Sequence, residues 1–338
     1  MPNILITGGC GFIGSHLAER CLAEGWRVSV IDDLSTGSED NIALFRAHPR
    51  FTCTFGTVLD AGALRPLVLA SDMVFHLASA VGVKLIIRSP VSSIRSIVCG
   101  TETLLRVLAE HPRPTILASS SEVYGKAARC PLREDDDLVL GPTTIARWSY
   151  ACAKAVDEHL GLSYWREFRV PVTITRLFNT VGPRQTARYG MVLPAFVNSA
   201  LADDPITVFG NGRQARCFSF VGDVVEALIR LALAPYAAGE VVNVGNDEEM
   251  SILELARLVK AMAGSESRIT LVPYEAAYGS GFEDVTRRVP DLAKLVRLIG
   301  YRPNTPVDRI ISPLLDAAGH PGFSPGLRAQ TVSHRSAN

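Results

Sequence analysis

Short apolar runs alternate along the first half of the chain with stretches whose apolar positions recur every three or four residues. The short runs predict strands at Ile4–Ile6, Val28–Ile31, Phe51–Phe55, Met73–Leu77, Thr115–Ser119 and Val172–Arg176. The periodic stretches predict helices at Phe12–Glu24, Leu64–Leu69, Val91–Glu110 and Ser149–Phe168. Alternation of this kind makes an α/β architecture, a doubly wound parallel sheet covered by helices on both faces. Ligands of such sheets sit beyond the carboxyl ends of the strands. Gly8 to Gly14, Asp32, His76 to Ser79 and Ser119 to Glu122 are therefore expected to line one crevice.

After Asn179 the pattern changes. Gly- and Pro-rich segments, Gly182-Pro183-Arg184 and Gly210-Asn211-Gly212-Arg213, separate helices expected at Val192–Ala202 and Val221–Ala234. A further helix, Ile252–Ala263, follows Ser251, a natural N-cap with Glu254 three residues on. Val241–Val244 reads as a strand able to rejoin the first sheet. The division expected is 1–180 for the first domain, 181–317 for a smaller lobe closing over it, and a disordered tail over 318–338. No internal repeat is apparent.

The most informative local feature is Gly8-Gly9-Cys10-Gly11-Phe12-Ile13-Gly14, between the first strand and the first helix. Glycines there allow a tight turn and bring backbone N–H groups close to a pyrophosphate at the positive end of the helix. Gly9, Gly11 and Gly14 fit G-x-G-x-x-G; Gly8, Gly11 and Gly14 fit G-x-x-G-x-x-G equally well. The second strand ends in Asp32, about 20 residues on, where an acid can hold the ribose hydroxyls of NAD. These features together predict a Rossmann-type dinucleotide site.

The chain has 338 residues, 47% of them hydrophobic and 20% charged, with a formal net charge of zero. That describes a soluble globular protein of one large or two intimate domains. A nucleic-acid partner is not expected, because no basic surplus or stripe is present. No apolar run reaches membrane-spanning length. Met1-Pro2-Asn3 leads straight into a core strand, which leaves no room for a signal peptide and implies a cytoplasmic protein. Seven scattered cysteines, none in C-x-x-C spacing, read as free thiols rather than a zinc site or disulfide framework. No metal is expected.

A second signal is Tyr150-Ala151-Cys152-Ala153-Lys154 at the start of a helix. Residues four apart share a helix face, so phenol and ammonium point into one space. Moving a phenol from pKa about 10 toward 7 needs roughly 4 kcal/mol of differential stabilisation, for which the lysine and an oxidised nicotinamide are suited. Such a tyrosine can take the proton from a sugar hydroxyl while NAD oxidises the same carbon.

Together with Ser119-Ser120-Ser121-Glu122-Val123-Tyr124-Gly125 and Leu177-Phe178-Asn179, these motifs resemble the nucleotide-sugar branch of the extended short-chain dehydrogenase/reductase family, over about residues 3 to 316. The resemblance implies a cofactor-facing set of Gly8, Gly11, Phe12, Ile13, Gly14, Asp32, Leu77 and Ala78, with Tyr150 and Lys154. It implies that Ser120 bonds the substrate 4-hydroxyl, that Tyr150 is the base, and that Lys154 holds Tyr150 and the nicotinamide ribose. It places Asn179 and Arg216 at the substrate pyrophosphate, where a guanidinium suits paired oxygens. It also puts Val208 and Phe209 beside the base and Arg184 with the substrate. The chain departs from many members in having Gly56-Thr57-Val58 where an acid often touches adenine. It also has Cys99 rather than Asn before Gly100-Thr101. A homodimer through the helices at Val91–Glu110 and Ser149–Phe168 is a further implication.

Within that family, Ser121-Glu122, Arg147-Trp148 and the run Tyr278 to Val285 leading to Arg287-Arg288-Val289-Pro290 resemble the UDP-glucuronic acid decarboxylases. Oxidation at C4 of glucuronic acid makes a β-keto acid; its loss of CO₂ leaves an enolate that the ketone oxygen delocalises. Ser120 and Tyr150 would donate to that oxygen, Arg288 and Ser121 would steer the carboxylate, and Glu122 would serve as acid–base near C5. Arg287 competes with Arg288 for its role. The product would be a UDP-4-keto-pentose, UDP-xylose or both. The alternative is a 4-epimerase on UDP-glucuronate or UDP-glucose, using the same Tyr150, Ser120 and Lys154. A catalytically silent NAD-binding scaffold is disfavoured because such proteins often lose the Tyr/Lys pair that this chain keeps.

Overall fold

The computed structural model describes residues 1–80, 86, 89–187, 191–278 and 285–318; the expected tail and the run 279–284 lie outside the described residues. The strands are β1 Asn3–Thr7, β2 Arg27–Asp32, β3 Phe51–Phe55, β4 Met73–His76, β5 Thr115–Ser120, β6 Val172–Leu177, β7 Thr180–Val181, β8 Ile206–Phe209, β9 Ala215–Cys217, β10 Ser219–Phe220, β11 Val241–Val244, β12 Glu249–Ser251, β13 Ile269–Val272 and β14 Arg287–Arg288. Seven of them form one parallel sheet in the order β11-β6-β5-β4-β1-β2-β3. Period-two alternation sorts its side chains. Ile4, Ile6, Val28, Val30 and Phe75 enter one core, while Leu5, Ile31, Val74, Leu117 and Ile174 enter another on the opposite face. Burial on both faces is why these strands read as unbroken apolar runs.

Helix α1, Phe12–Ala23, packs on the first face together with helices Val221–Ala232 and Ala293–Ile299. Helix α2, Ala61–Leu69, and helices Pro90–Glu110 and Trp148–Phe168 cover the second. The Val221–Ala232 helix, expected in the smaller lobe, therefore belongs to the main sheet: Val221, Val224, Val225 and Leu228 all enter its core. Its apolar stripe signals that one face is buried, and stays silent about which surface buries it.

The lobe has its own core, built by helices Val192–Leu201, Ile252–Ala263 and Val307–Ala318 against β8. Ser251 caps the second of these: its Oγ accepts from Glu254 N–H at 3.2 Å, and the Glu254 carboxylate accepts from Ser251 N–H at 2.9 Å. A three-stranded sheet, β12-β9-β14, carries Arg216 and Arg288 as neighbours in register. Among the described residues no helix is long and apolar enough to cross a membrane, and no cluster of His, Cys, Asp or Glu could hold a metal ion.

The chain runs from β1 to β2 on one side and from β3 back across to β4 on the other, so β1 marks the switch point where a crevice opens. The first turn meets that constraint by main-chain contact. Gly8 has φ +74° and its N–H donates to Ile31 O at 2.8 Å. A Cβ at Gly14 would lie 2.2 Å from Gly8 O. Gly14→Ala is expected to lower stability by about 1–3 kcal/mol, the usual cost of overpacking against atoms that cannot move aside. Denaturant unfolding checks this; unchanged stability would mean that the turn relaxes.

Candidate active site

A cavity of about 950 Å³ opens beyond the carboxyl ends of the central strands, between sheet and lobe. That is the upper end of the roughly 300–1,000 Å³ of small-molecule sites. Gly8, Gly11, Phe12, Ile13, Gly14, Asp32, Leu77 and Ala78 all line it. The two glycine readings divide between separate tasks. Gly8, Gly11 and Gly14 face the cavity, whereas a Cβ at Gly9 would meet Val30 Cγ1 at 2.3 Å, so Gly9 serves turn-to-sheet packing. Gly11 is the N-cap of α1 and supplies no side-chain cap. Asp32 accepts from Cys10 N–H at 2.9 Å and Leu34 N–H at 2.8 Å. Burial raises its carboxyl above the ordinary value, against those hydrogen bonds. Gly56 and Val58 line the wall where an acid was absent, and Gly100 lets its helix close on Val58.

Arg184 lines the cavity and donates to Glu19 and, at 3.5 Å, to Ser15 Oγ, so the first turns of α1 hold it. Val208 is a correction. It is fully buried in the lobe core, while its strand neighbours Thr207 and Phe209 face the cavity. Adjacent strand residues point to opposite faces, so only one of the pair could have lined the site. Asn179 lines the cavity and its Nδ2 donates to Cys217 O at 3.1 Å. Arg216 lines it too, donating to Ala215 O at 2.8 Å.

Tyr150 and Ser120 are hydrogen-bonded at the cavity wall. Burial pushes the Tyr150 phenol above its ordinary value, helped by the charges of Glu122 and Asp157 and opposed by the Ser120 bond and Arg288. The expected lowering by Lys154 does not appear in the chain alone, for a reason the sequence did not reveal. Lys154 is buried and spends its ammonium on Ala118 O at 3.0 Å and Asp157 Oδ2 at 3.2 Å. Asp157, fully buried one turn further along the same helix, thus screens the cation.

His76 also differs from expectation. It does not line the crevice but lies behind it, sharing hydrogen bonds with Thr7 Oγ at 2.8 Å and Thr101 Oγ at 3.2 Å. Burial, then the charge of Lys154, lowers its imidazole to about 3.

A third group of charges separates the two neighbouring arginines. Arg288 is buried; its Nη1 donates to Glu122 Oε1 at 2.6 Å and Ser121 Oγ at 3.3 Å. Arg287, next along β14, is exposed on the other face and paired with Glu249. The Glu122 carboxylate meets a second cation, Arg147 Nη2, at 3.2 Å. Burial pushes its carboxyl up, but Arg288, Arg147 and Arg216 outweigh it and hold it at about 2. Glu122 is accordingly a carboxylate between two guanidinium groups, not a poised proton donor. Arg147, Thr207, Tyr274 and Gln214 also line the site, and Asp157 stands behind it. Nothing in the spacing marked Tyr274, whose ring covers Gly210 from the lobe.

Strand order and switch-point crevice define a Rossmann-type protein with a second lobe over its ligand edge. The chain belongs to the family described as GDP-mannose 4,6 dehydratase, which matches residues 5–314, as the motif resemblance to extended short-chain dehydrogenases/reductases implied. The UDP-N-acetyl-alpha-D-glucosaminuronate decarboxylase of Bacillus cytotoxicus is 39% identical over 305 residues, 89% of this chain and 92% of the relative. UDP-glucuronic acid decarboxylase 1 of Danio rerio is 34% identical over 306 residues, 90% of this chain and 70% of the relative. Among solved structures, a dTDP-glucose 4,6-dehydratase of Streptomyces venezuelae with NAD bound is similar at TM-score 0.84 and 27% identity, over 96% of this chain and 99% of that one. The UDP-glucuronic acid 4-epimerase of Bacillus cereus, in complex with UDP-glucuronic acid and NAD, is similar at TM-score 0.81 and 27% identity, over 93% and 98%.

Two of these perturbed groups, His76 and Glu122, make stability fall on the acid side. His76 stays neutral in the fold, so unfolding takes up a proton once the pH drops below its ordinary 6.5. The loss amounts to about 1.4 kcal/mol per pH unit until about pH 3. Glu122 adds stability that is complete above pH 4.5 and lost as the pH falls toward about 2. Urea unfolding between pH 7 and 5 is expected to show a slope shallower by about one proton in His76→Gln than in the parent. Equal slopes would mean that His76 is charged in the native state.

Proposed function

We propose that this protein is an NAD-dependent decarboxylase of a UDP-linked uronic acid, UDP-glucuronate or its 2-acetamido counterpart. The observation that carries the reading is the convergence of Arg288 and Ser121 from lobe and sheet beside Tyr150 and Ser120. A cation and a hydroxyl are thereby offered to a carboxylate at the place where a sugar hydroxyl would lose its proton. The names of the two decarboxylases support the same reaction.

The glycine turn fits a dinucleotide. Three glycines that face the cavity leave no side chain between it and the start of α1, and the buried Asp32 carboxylate lies where ribose hydroxyls would be held. Bound NAD would supply the oxidant for C4. Tyr150 would accept the 4-hydroxyl proton, and Ser120 would share the hydrogen bond and steady the oxygen. After CO₂ leaves, the same two groups would donate to the enolate oxygen. Arg288 would orient the carboxylate by leaving part of its pairing with Glu122. A second anion beside Glu122 would in turn raise that residue's proton affinity. The Glu122 acid–base role near C5 thus depends on substrate being present. Arg184 would serve the cofactor side, and Asn179, Arg216 and Phe209 the nucleotide end of the substrate. We further propose a homodimer through helices Pro90–Glu110 and Trp148–Phe168, on which Val91, Ile94 and Val156 are exposed.

Purified protein with NAD and each UDP-uronate, followed by NMR of the products, is expected to give CO₂ and a UDP-pentose or its 4-keto form. A UDP-uronate inverted at C4 and of unchanged mass would make the protein an epimerase instead. Tyr150→Phe should lower kcat by about 10²–10⁴-fold. Arg288→Ala should cost about 100-fold in kcat/KM and Arg287→Ala no more than about twofold; the reverse ranking would refute the carboxylate role. Light scattering is expected to read twice the chain mass.

A further inference from the structure

Cys10, inside the glycine turn, is fully buried, and its Sγ lies 3.8 Å from Cys53 Sγ in the middle of β3. Cys53 is half-buried. The Cys10 main chain is a junction of the cofactor end. Its N–H donates to Asp32 Oδ2 at 2.9 Å, and its carbonyl accepts from Ser38 N–H at 3.1 Å and Asn41 Nδ2 at 2.9 Å. Asp32, Ser38 and Asn41 all line the cavity. A disulfide needs sulfurs about 2.05 Å apart, so bonding would draw this pair together by nearly half their separation. β3 is the edge strand and pairs with β2 alone in its sheet. On the other side Cys10 sits in a turn whose glycines are already packed to contact. Whatever part of the movement the two side-chain torsions do not absorb falls on the Cys10 main chain, and with it on Asp32.

We propose that Cys10 and Cys53 form an oxidation-sensitive site: a hydroperoxide converts the two thiols to a disulfide, and the disulfide weakens dinucleotide binding. The second half rests on reading the crevice as an NAD site. Cys53 is the attacking sulfur. Its hydrogen bond with Cys10 favours the thiolate on Cys53, and Arg46 adds to this, whereas the same bond, burial and Asp32 keep Cys10 protonated. The Cys53 thiolate attacks one peroxide oxygen, the O–O bond breaks, and the departing hydroxide or alkoxide takes a proton, leaving a sulfenic acid. The Cys10 sulfur then attacks the sulfenic sulfur. The S–S bond forms, the S–O bond breaks, and the hydroxide leaves as water with the Cys10 proton. Two electrons pass from the thiols to one peroxide, which becomes two waters when it is hydrogen peroxide. A thiol reductant reverses the change.

The test uses the full-length chain, reduced, then treated with hydrogen peroxide in the absence of NAD. Peptide mapping should find a Cys10–Cys53 link, and calorimetric titration with NAD should show affinity lower by at least about tenfold, restored by reductant. Cys53→Ser should bind NAD like the reduced parent and ignore peroxide. By reciprocity, saturating NAD should shift the equilibrium of the pair with a thiol redox buffer toward the reduced form, by the factor by which the link weakens NAD binding. Recovery of both peptides unlinked, or a link that leaves the affinity within about twofold, overturns the proposal. A reduced parent that binds no NAD overturns the cofactor reading and the second half of the proposal with it; the mapping then decides the thiol pair by itself.

Discussion

A buried guanidinium from the lobe, Arg288, meets a carboxylate from the sheet, Glu122, and the rest of the site depends on that meeting. The two residues lie far apart in the chain, and their contact fixes where β14 sits relative to the end of β5. Taking two charges out of water is costly, and such pairs often contribute little net stability. Here Glu122 answers two cations at once, Arg288 and Arg147. Two guanidinium groups and one carboxylate are thereby held together at the cavity wall that also carries Tyr150.

The tyrosine–lysine pair is arranged with similar restraint. Without ligands, burial holds the Tyr150 phenol protonated and Asp157 neutralises Lys154. Behind them the Thr7, His76 and Thr101 side chains connect the end of β1 to helix Pro90–Glu110, and Thr101 hydrogen-bonds Asp157, the partner of Lys154. His76 must stay neutral there, because a second buried cation beside Lys154 would be unpaired. Lys154 is thus placed by a buried polar chain that begins at the glycine turn, and both ends of the crevice share one set of fixed contacts. The Cys10 junction extends the same logic to Asp32, since one main-chain position carries the turn, the acid and the loop after it.

Much of this was legible in the residues. The apolar runs and the glycines between them carried the sheet, its covering helices and the crevice, because burial on both faces and main-chain contact leave few residue types able to serve. Tyr150 and Lys154 were legible for the same kind of reason, a fixed helical spacing. The errors share a cause. Val208 and Phe209 are adjacent in the chain and opposite in space. The Val221–Ala232 helix has a clear apolar stripe and gives no hint of its partner.

Local order in the chain determined which elements form, where the turn must be glycine and which side chains carry chemistry, since backbone sterics, helical period and apolar burial act over a few residues. Only the tertiary structure decided that Arg288 rather than Arg287 faces Glu122, that Asp157 occupies Lys154, and that Cys10 and Cys53 touch. Charge pairing and close packing depend on distances between segments that lie far apart in the chain, 166 residues in the case of Arg288 and Glu122. No periodicity encodes such distances.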